Sequence, residues 1–400
     1  MNPPSAPVPV TKPARLSSID AYRGLVMLLM LGEGLRFCSV ARALPESGFW
    51  KFLCHHQSHV TWAGGSLHDL IQPSFAFLVG VALPFSLGSR TSQGVPFLRI
   101  FGHALWRSLL LIAVGIGLRS IGHAGTNFTF EDTLTQIGLG YAFLFVLGWC
   151  PVKVQWSALG LILAGYWLAF ALYPLPGPDF NWSAAGVAKD WEHNFSGFAA
   201  HWNKNTNLAW AFDQWFMNLF PRQKPFQSNS GGYSTLNFIP TLATMILGLI
   251  AGGWLKSGLA PAGKLKRFVI AGAVGLAGGV LLDATGICPN VKCIWTPAWV
   301  LFSGGWCCLF LAFFHAALDV GKCKAWAFPL VVIGANSIFA YCSEWLFVGF
   351  IHRTLNTHLG GEFFKCFGPA YTELFRGACV LLVIWLMLLW LYRKKVFIKI

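Results

Sequence analysis

Apolar stretches long enough to cross a bilayer recur from one end of the chain to the other. They fall at roughly 24–40, 70–89, 104–121, 133–150, 154–173, 236–255, 267–284, 296–318, 327–350 and 374–392. A hydrocarbon layer about 30 Å thick needs about 20 apolar residues in a helix. It also requires every backbone polar group to bond within the spanning structure, which leaves helices or closed barrels. These runs are too long and too uniformly apolar for the alternation of barrel strands. Only 11% of the residues are charged, against about 25% in soluble domains. The expected fold is all-α, a polytopic membrane protein of about ten transmembrane helices around a polar cleft.

The net charge of +14 invites a nucleic-acid reading, but its distribution follows membrane topology. With the N-terminus in the cytoplasm and the spans alternating, seventeen of the 29 basic residues fall on cytoplasmic segments, Arg15, Arg23, Arg90, Arg107 and Lys264 among them. Only Asp20 and Asp319 of the 15 acidic residues join them. That asymmetry is the positive-inside pattern. Both termini are therefore expected in the cytoplasm, with lipid rather than nucleic acid as the surrounding partner. Residues 1–14 read as a cytoplasmic tail and 15–395 as one transmembrane domain, with outer loops 41–69, 174–235 and 351–373 forming an external cap. A cleaved signal peptide ending near "CSVARALPESG" is the rival reading of the first span; Asp20 and Arg23 fit it poorly.

Eleven cysteines do not make a framework, because most lie in apolar runs, where Cys behaves as a small buried hydrophobe. Cys288 and Cys293 share a short outer loop and are the pair a disulfide would join. Asn127, Asn181 and Asn194 open outer-side sequons that matter only in a eukaryotic secretory pathway. Within the spans, Glu33, Arg36, Gln136, Asn237, Asp283, Asn336, Ser337 and Glu344 stand out, since polar groups there are costly and mark function or pairing. A Glu33–Arg36 pair, three residues apart on one helix face, is the plain structural reading of the first two.

Two stretches carry most of the chemistry. In "RLSSIDAYRG", Asp20 can cap the first helix and Arg15 and Arg23 can anchor it. The functional alternative is a cytoplasmic vestibule that holds an anion such as a nucleotide phosphate. In "CHHQSHVTWAGGSLHDLIQP", Ser66 and Asp69 have the spacing of a capping box. The Gly64–Gly65 pair permits a tight turn that places His59 above the mouth of the second helix. The three histidines admit three readings: a metal site drawing on His55, His56, His59, Cys54, His68 or Asp69, a solvated outer loop, or catalysis.

These two stretches resemble the membrane acetyltransferases related to heparan-α-glucosaminide N-acetyltransferase. The family's R-L-x-S-x-D-x-x-R-G is matched by Arg15, Leu16, Ser18, Asp20, Arg23 and Gly24. Its H-x-x-W-x-G and D-L-(V/I)-x-P-x-F-x-F-x-x-G are matched by His59, Trp62 and Gly64, then by Asp69, Leu70, Ile71, Pro73, Phe75, Phe77 and Gly80. Gln136 and Tyr141, Asp213, Lys292 with Trp295 and Thr296, and Gly334, Asn336, Ser337, Ile338 and Tyr341 match later motifs in the same order. The resemblance covers about residues 15–350. Two positions depart from it: Ile137 stands where the family has Arg, and Gly34 where many members have Asn. A bacterial-type member without the animal enzyme's luminal domain, in an inner membrane, is the expectation.

The resemblance implies an acyl-CoA-dependent acyltransferase, with acetyl-CoA as co-substrate and an amino sugar or other glycan as acceptor on the outer side. It places the catalytic role on His59, as base or acyl acceptor, and returns His55 and His56 to structure, with no metal expected. Asp69 can orient the imidazole. Arg15, Asp20 and Arg23 are the candidate CoA-binding residues. Trp62, Asn237, Lys292, Trp295 and Asn336 are the candidate substrate-binding ones, with Asn237, Trp295 and Asn336 as candidate oxyanion donors. A second copy of the chain is a compatible partner. The rival class is a transporter whose polar path runs through Glu33, Asp283, Asn336 and Glu344; it has no use for a His59–Trp62–Asp69 group.

Overall fold

The computed structural model describes residues 16–398. The tail at 1–14, together with Arg15, lies outside the described residues. Among the described residues there is no strand, only an isolated antiparallel bridge between Ala63 and Val291. The α-helices are α1 (Ser17–Leu31), α2 (Phe37–Ala43), α3 (Gly48–Gln57), α4 (Ile71–Thr91), α5 (Phe97–Arg119), α6 (Thr133–Leu147), α7 (Val152–Leu172) and α8 (Trp182–Ala185). They continue as α9 (Leu208–Phe216), α10 (Phe238–Lys256), α11 (Pro261–Ala284), α12 (Pro297–Phe314), α13 (Phe328–Ala335), α14 (Ser337–Leu346), α15 (Val348–Leu359) and α16 (Thr372–Arg393).

Each of the ten apolar runs is helical, but not every run is a single helix of spanning length. Among the described residues, seven helices are long and apolar enough to cross a membrane, or eight if the bent first pair counts as one span. This is a multi-pass membrane protein. The first run breaks where Gly32–Leu35 tightens to a 3-10 turn and Arg36 takes φ 50°, and α2 leaves at 41°. Glu33 thus sits on the break, with its side chain 65% exposed. It meets Arg36 only through a backbone bond rather than the expected ion pair. The fourth run yields α6, 15 residues long, about 22 Å at 1.5 Å per residue and short of the bilayer core. The ninth run is broken at Asn336, whose side chain donates to Val396 O (3.1 Å) and accepts from Ile398 N (2.9 Å).

The inner helices are distinguished by burial. Most of α10 is buried, whereas most of α11 is not. Exposed Val274, Leu281, Leu161, Leu382 and Trp390 mark the lipid-facing perimeter on α11, α7 and α16. The tightest seam joins α4 to α10. A Cβ on Gly80 would fall 2.0 Å from Met245 O, and one on Gly248 would fall 1.9 Å from Phe77 O. Only glycine permits backbones to approach this closely.

At the start of α1, Asp20 is not the cap. Leu16 is the N-cap residue, and Ser18 reaches Asp319 at the far end of the α12 run through its hydroxyl (2.5 Å) and backbone N–H (3.4 Å). Asp20 instead pairs with Arg23 at 3.6 Å. Cys288 and Cys293 are both free and buried, and burial pushes their thiols up to about 12 and about 11. The disulfide that does form joins Cys38 to Cys54.

Candidate active site

The loop before α4 folds largely through Asp69. Ser66 donates to Asp69 Oδ2 from its backbone N–H and its hydroxyl, both at 3.0 Å, and Asp69 N–H returns to Ser66 Oγ at 3.3 Å. This is the reciprocal pattern that the spacing predicts. Val60 N–H adds a further bond to Oδ2 at 3.2 Å. Gly64, at φ 98°, turns the chain so that its N–H reaches Asn290 O (2.9 Å) while Ala63 bridges to Val291. The receiving loop is held by Thr296, whose hydroxyl donates to Pro289 O (2.7 Å) and accepts from Val291 N (3.1 Å) and Trp299 N (3.3 Å). Asp283 fastens the same loop by accepting from Asn290 N at 2.8 Å.

This docking brings Lys292 to His59 across 233 positions. Asp69 Oδ1 lies 2.7 Å from His59 Nδ1 and 3.0 Å from Lys292 Nζ, and Nζ lies 2.9 Å from Nδ1. Asp69 is fully buried, the Lys292 side chain is 5% exposed and the His59 side chain 50%. A carboxylate can only accept, so a His59 protonated at Nδ1 donates to Asp69 Oδ1; the Lys292 ammonium, itself only a donor, balances the charge through Oδ1, and its approach to Nδ1 is then a charge contact rather than a hydrogen bond. In that tautomer Nε2 carries the lone pair. The His68 ring packs against that of His59 at 4.6 Å between centroids, tilted by 52°, and approaches Glu33 at 3.8 Å.

His59, His68 and Lys292 line a cavity of about 330 Å³, with Glu33, Glu131, Arg119, Thr133, Tyr233, Tyr341 and Glu344 in its wall. A second cavity of about 260 Å³ is lined by Arg23, Ser86, Arg107, Ser337 and Ile398. Thr133 and Tyr341 belong to both walls. The partition is braced: Tyr341 donates to Asp132 Oδ2 (2.7 Å), which also holds Arg119 Nε (3.1 Å), and Asp132 Oδ1 caps α6 through Leu134 N (2.9 Å). In the second cavity, Arg107 donates to Tyr141 OH at 3.2 Å, while among the described residues its buried Nε has no partner. A third space of about 160 Å³ beside it adds Arg90 and His103.

The other candidate residues go elsewhere. Trp62 is 1% exposed and packs with Trp191, Trp202 and Val291 under the 174–235 loop. Asn237 spends its amide on Cys293 O (2.7 Å) and Ser234 Oγ (2.9 Å). Trp295 is buried at φ 48°, with Nε1 on Thr244 Oγ1 at 3.2 Å. Asn336 is bound to the C-terminal segment, so none of these four lines the His59 cavity. Arg23 does line the Arg107 cavity, and Asp20 stands behind it. His56 Nδ1 accepts from Leu67 N at 3.2 Å. Burial and neighbouring His55 lower its basicity and favour that neutral acceptor form. Among the described residues, no group of three His, Cys, Asp or Glu side chains is placed to hold a metal ion. Sequence reasoning missed the Arg119–Asp132–Tyr341 group, although an Asp directly before an apolar helix was a readable cap signal.

No protein-family model matches the chain. Curated relatives do. Heparan-alpha-glucosaminide N-acetyltransferase of Homo sapiens is 24% identical over 97% of this chain and 60% of its own length. The Mus musculus protein of the same name is 26% identical over 44% of this chain and 29% of its own. The chain is heparan-alpha-glucosaminide N-acetyltransferase-like. At 97% coverage, the human match takes in both the His59–Asp69 loop and the Lys292 loop, which the Ala63–Val291 bridge joins. The chain spans 60% of the length of that relative.

Proposed function

We propose that this protein is a transmembrane acyltransferase. It moves an acetyl group from acetyl-CoA, entering from the side of Arg23, to an amine on an amino sugar or related glycan at the face of His59. The observation that carries this reading is the pair of cavities meeting at Thr133 and Tyr341, one with His59 on buried Asp69 and the other with basic side chains. Arg23, Arg107 and, beside them, Arg90 suit the phosphates of CoA, and Arg107 Nε, buried and without a partner among the described residues, is the kind of donor an anion would satisfy. Glu33, Glu131 and Glu344 around His59 favour an amine acceptor over an acidic one. The charge asymmetry orients the Arg23 side to the cytoplasm, and a bacterial inner membrane is the setting we favour.

His59 Nε2 has two ways to act. As a base it takes the proton from the acceptor nitrogen while that nitrogen bonds to the thioester carbon; the C–S bond then breaks, and the thiolate leaves with the proton from Nε2. As a nucleophile it bonds to the acyl carbon first as the C–S bond breaks and CoA leaves as thiolate; the amine then takes the acetyl group from Nε2, and the proton that the amine loses passes to the freed imidazole and on to the thiolate. Asp69 holds the tautomer in both routes.

The test is acetyl transfer from acetyl-CoA to a panel of amino sugars by the purified protein. His59→Ala should still bind CoA but lose turnover by at least about 10²–10⁴-fold. Near-normal turnover of that variant ends the reading. Stabilisation against heat by acetyl-CoA, but not by ions or neutral metabolites, separates the enzyme from a transporter. Labelling of cysteines placed at Ser92 and Asn229 should report opposite faces.

A further inference from the structure

His59 is the exposed member of a group whose other two members are buried, and the helix leading to it has no core of its own. No residue of α3 is buried, and Phe49 and Phe52 are 63% and 60% exposed. An element without buried apolar surface is positioned by whatever else ties it. We infer that the Cys38–Cys54 disulfide and Gln57 are positioning groups for His59, clamping the α2–α3 hairpin so that the imidazole stays on Asp69 and making acyl transfer depend on an oxidising compartment. The inference rests on the acyltransferase reading above.

The ties converge on the three residues before His59. Gln57 spans the break between α1 and α2, donating from Nε2 to Gly32 O (2.6 Å) and accepting at Oε1 from Phe37 N (2.7 Å). His56 accepts from Leu67 N, and Ser58 O accepts from Ser66 Oγ at 2.6 Å. These bonds fix the C-terminal end of α3 to the start of α4. The body of α3 is fixed by the disulfide, which ties Cys54, one turn before Gln57, to Cys38 in the first turn of α2. Both cysteines are only partly buried, so a small dithiol can reach the bond. Reduction would consume two electrons and two protons, opening the S–S bond to two thiols while the reagent closes to its own disulfide. The cytosol keeps such thiols reduced, so the clamped hairpin belongs on the side to which the charge distribution assigns loop 41–69.

The experiment uses the full chain in detergent or nanodiscs, before and after dithiothreitol, with the Cys38→Ala/Cys54→Ala double variant and Gln57→Ala. Reduction and each variant should lower kcat by up to about 10²-fold, the cost of a misplacement on the order of 1 Å. KM for acetyl-CoA should hold, because Arg23 and Arg107 line the other cavity. Reoxidation should restore kcat in the unmodified chain, and Cys323→Ser with Cys366→Ser should leave the effect unchanged. A second readout needs no turnover: the rate of carbethoxylation of His59 by diethyl pyrocarbonate, followed by mass spectrometry, should rise when the clamp opens. An unchanged kcat and His59 reactivity in reduced, folded protein overturns the inference. So does a parallel loss of CoA binding, which makes the disulfide a support of the whole fold. If the intact protein transfers no acyl group, the enzyme reading fails, and the His59 reactivity arm still decides whether the clamp exists.

Discussion

Replacing Asp69 with Asn keeps the shape of the side chain and removes the one charge that His59 and Lys292 share. Asp69 Oδ2 receives Ser66 N, Ser66 Oγ and Val60 N, while Oδ1 faces His59 Nδ1 and Lys292 Nζ. An amide has a single acceptor oxygen. With that oxygen placed to keep the turn, its NH2 points at Nδ1, which must then accept, and the ring proton moves to Nε2. The nitrogen facing the cavity loses its lone pair, and turnover should fall by about 10²–10⁴-fold. Lys292, 5% exposed, also loses its counter-charge. Removing one partner of a buried pair costs about 3–5 kcal/mol, so the melting temperature should drop as well. Asp69→Asn combined with Lys292→Met removes the stranded charge, and neutral replacement of a buried pair is often close to neutral for stability. The double variant should therefore regain most of the lost stability and none of the activity. Thermal unfolding, CoA binding and acetyl transfer measured on the same preparations provide the check. Recovery of turnover along with stability would refute the tautomer argument and leave Asp69 a structural residue.

Three further outcomes follow from other parts of the molecule. Burial, opposed in part by bonds from Thr235, lifts the Asp213 carboxyl from 3.8 to about 7; the folded state then holds a proton that the unfolded state releases, so this group's contribution to stability falls as pH rises from about 4 to about 7. Asp213→Asn should remove that slope and raise the melting temperature at neutral pH relative to the parent, as scans between pH 5 and 8 will show. Arg107→Gln should weaken CoA binding by roughly 10–100-fold, the worth of about 1.5–3 kcal/mol in a hydrogen bond to a charged group, with the fold kept; unchanged affinity removes Arg107 from the phosphate site. Gly248→Ala should destabilise by about 1–3 kcal/mol or more, because its Cβ meets backbone at Phe77. Gly253→Ala on the same helix, where a Cβ meets open space, should instead gain about 1 kcal/mol.

Local features of this chain were readable and long-range ones were not. The ten apolar runs became helices because hydrocarbon leaves an apolar chain little else, and Ser66 with Asp69 formed their reciprocal cap three residues apart. The number of spans was not readable, because the break at Asn336 depends on Val396 and Ile398, about 60 residues away, and α6 differs from its neighbours only in length. Lys292 was singled out by a motif resemblance, yet its place against His59 comes from a two-residue bridge that no periodicity announces. Spacing pointed to Cys288 and Cys293 because they share a short loop. Cys38 looked like one more apolar-run residue until the helix turned at Arg36 and set it opposite Cys54.

Two cavities that back onto the same pair of side chains also have an electrical meaning. A polar passage through a membrane is a conductor unless something interrupts it, and each unit charge that slips through 100 mV dissipates about 2.3 kcal/mol. Here the two cavities share Tyr341, latched by its hydroxyl to Asp132, and Thr133 in their walls. On the acyltransferase reading proposed above, an acyl group handed across that point needs the latch to yield, and a cell that lives on its ion gradient needs it to yield only when the thioester arm already fills the gap. On that reading the insulation of the membrane at this protein passes, once per turnover, from a tyrosine to the substrate.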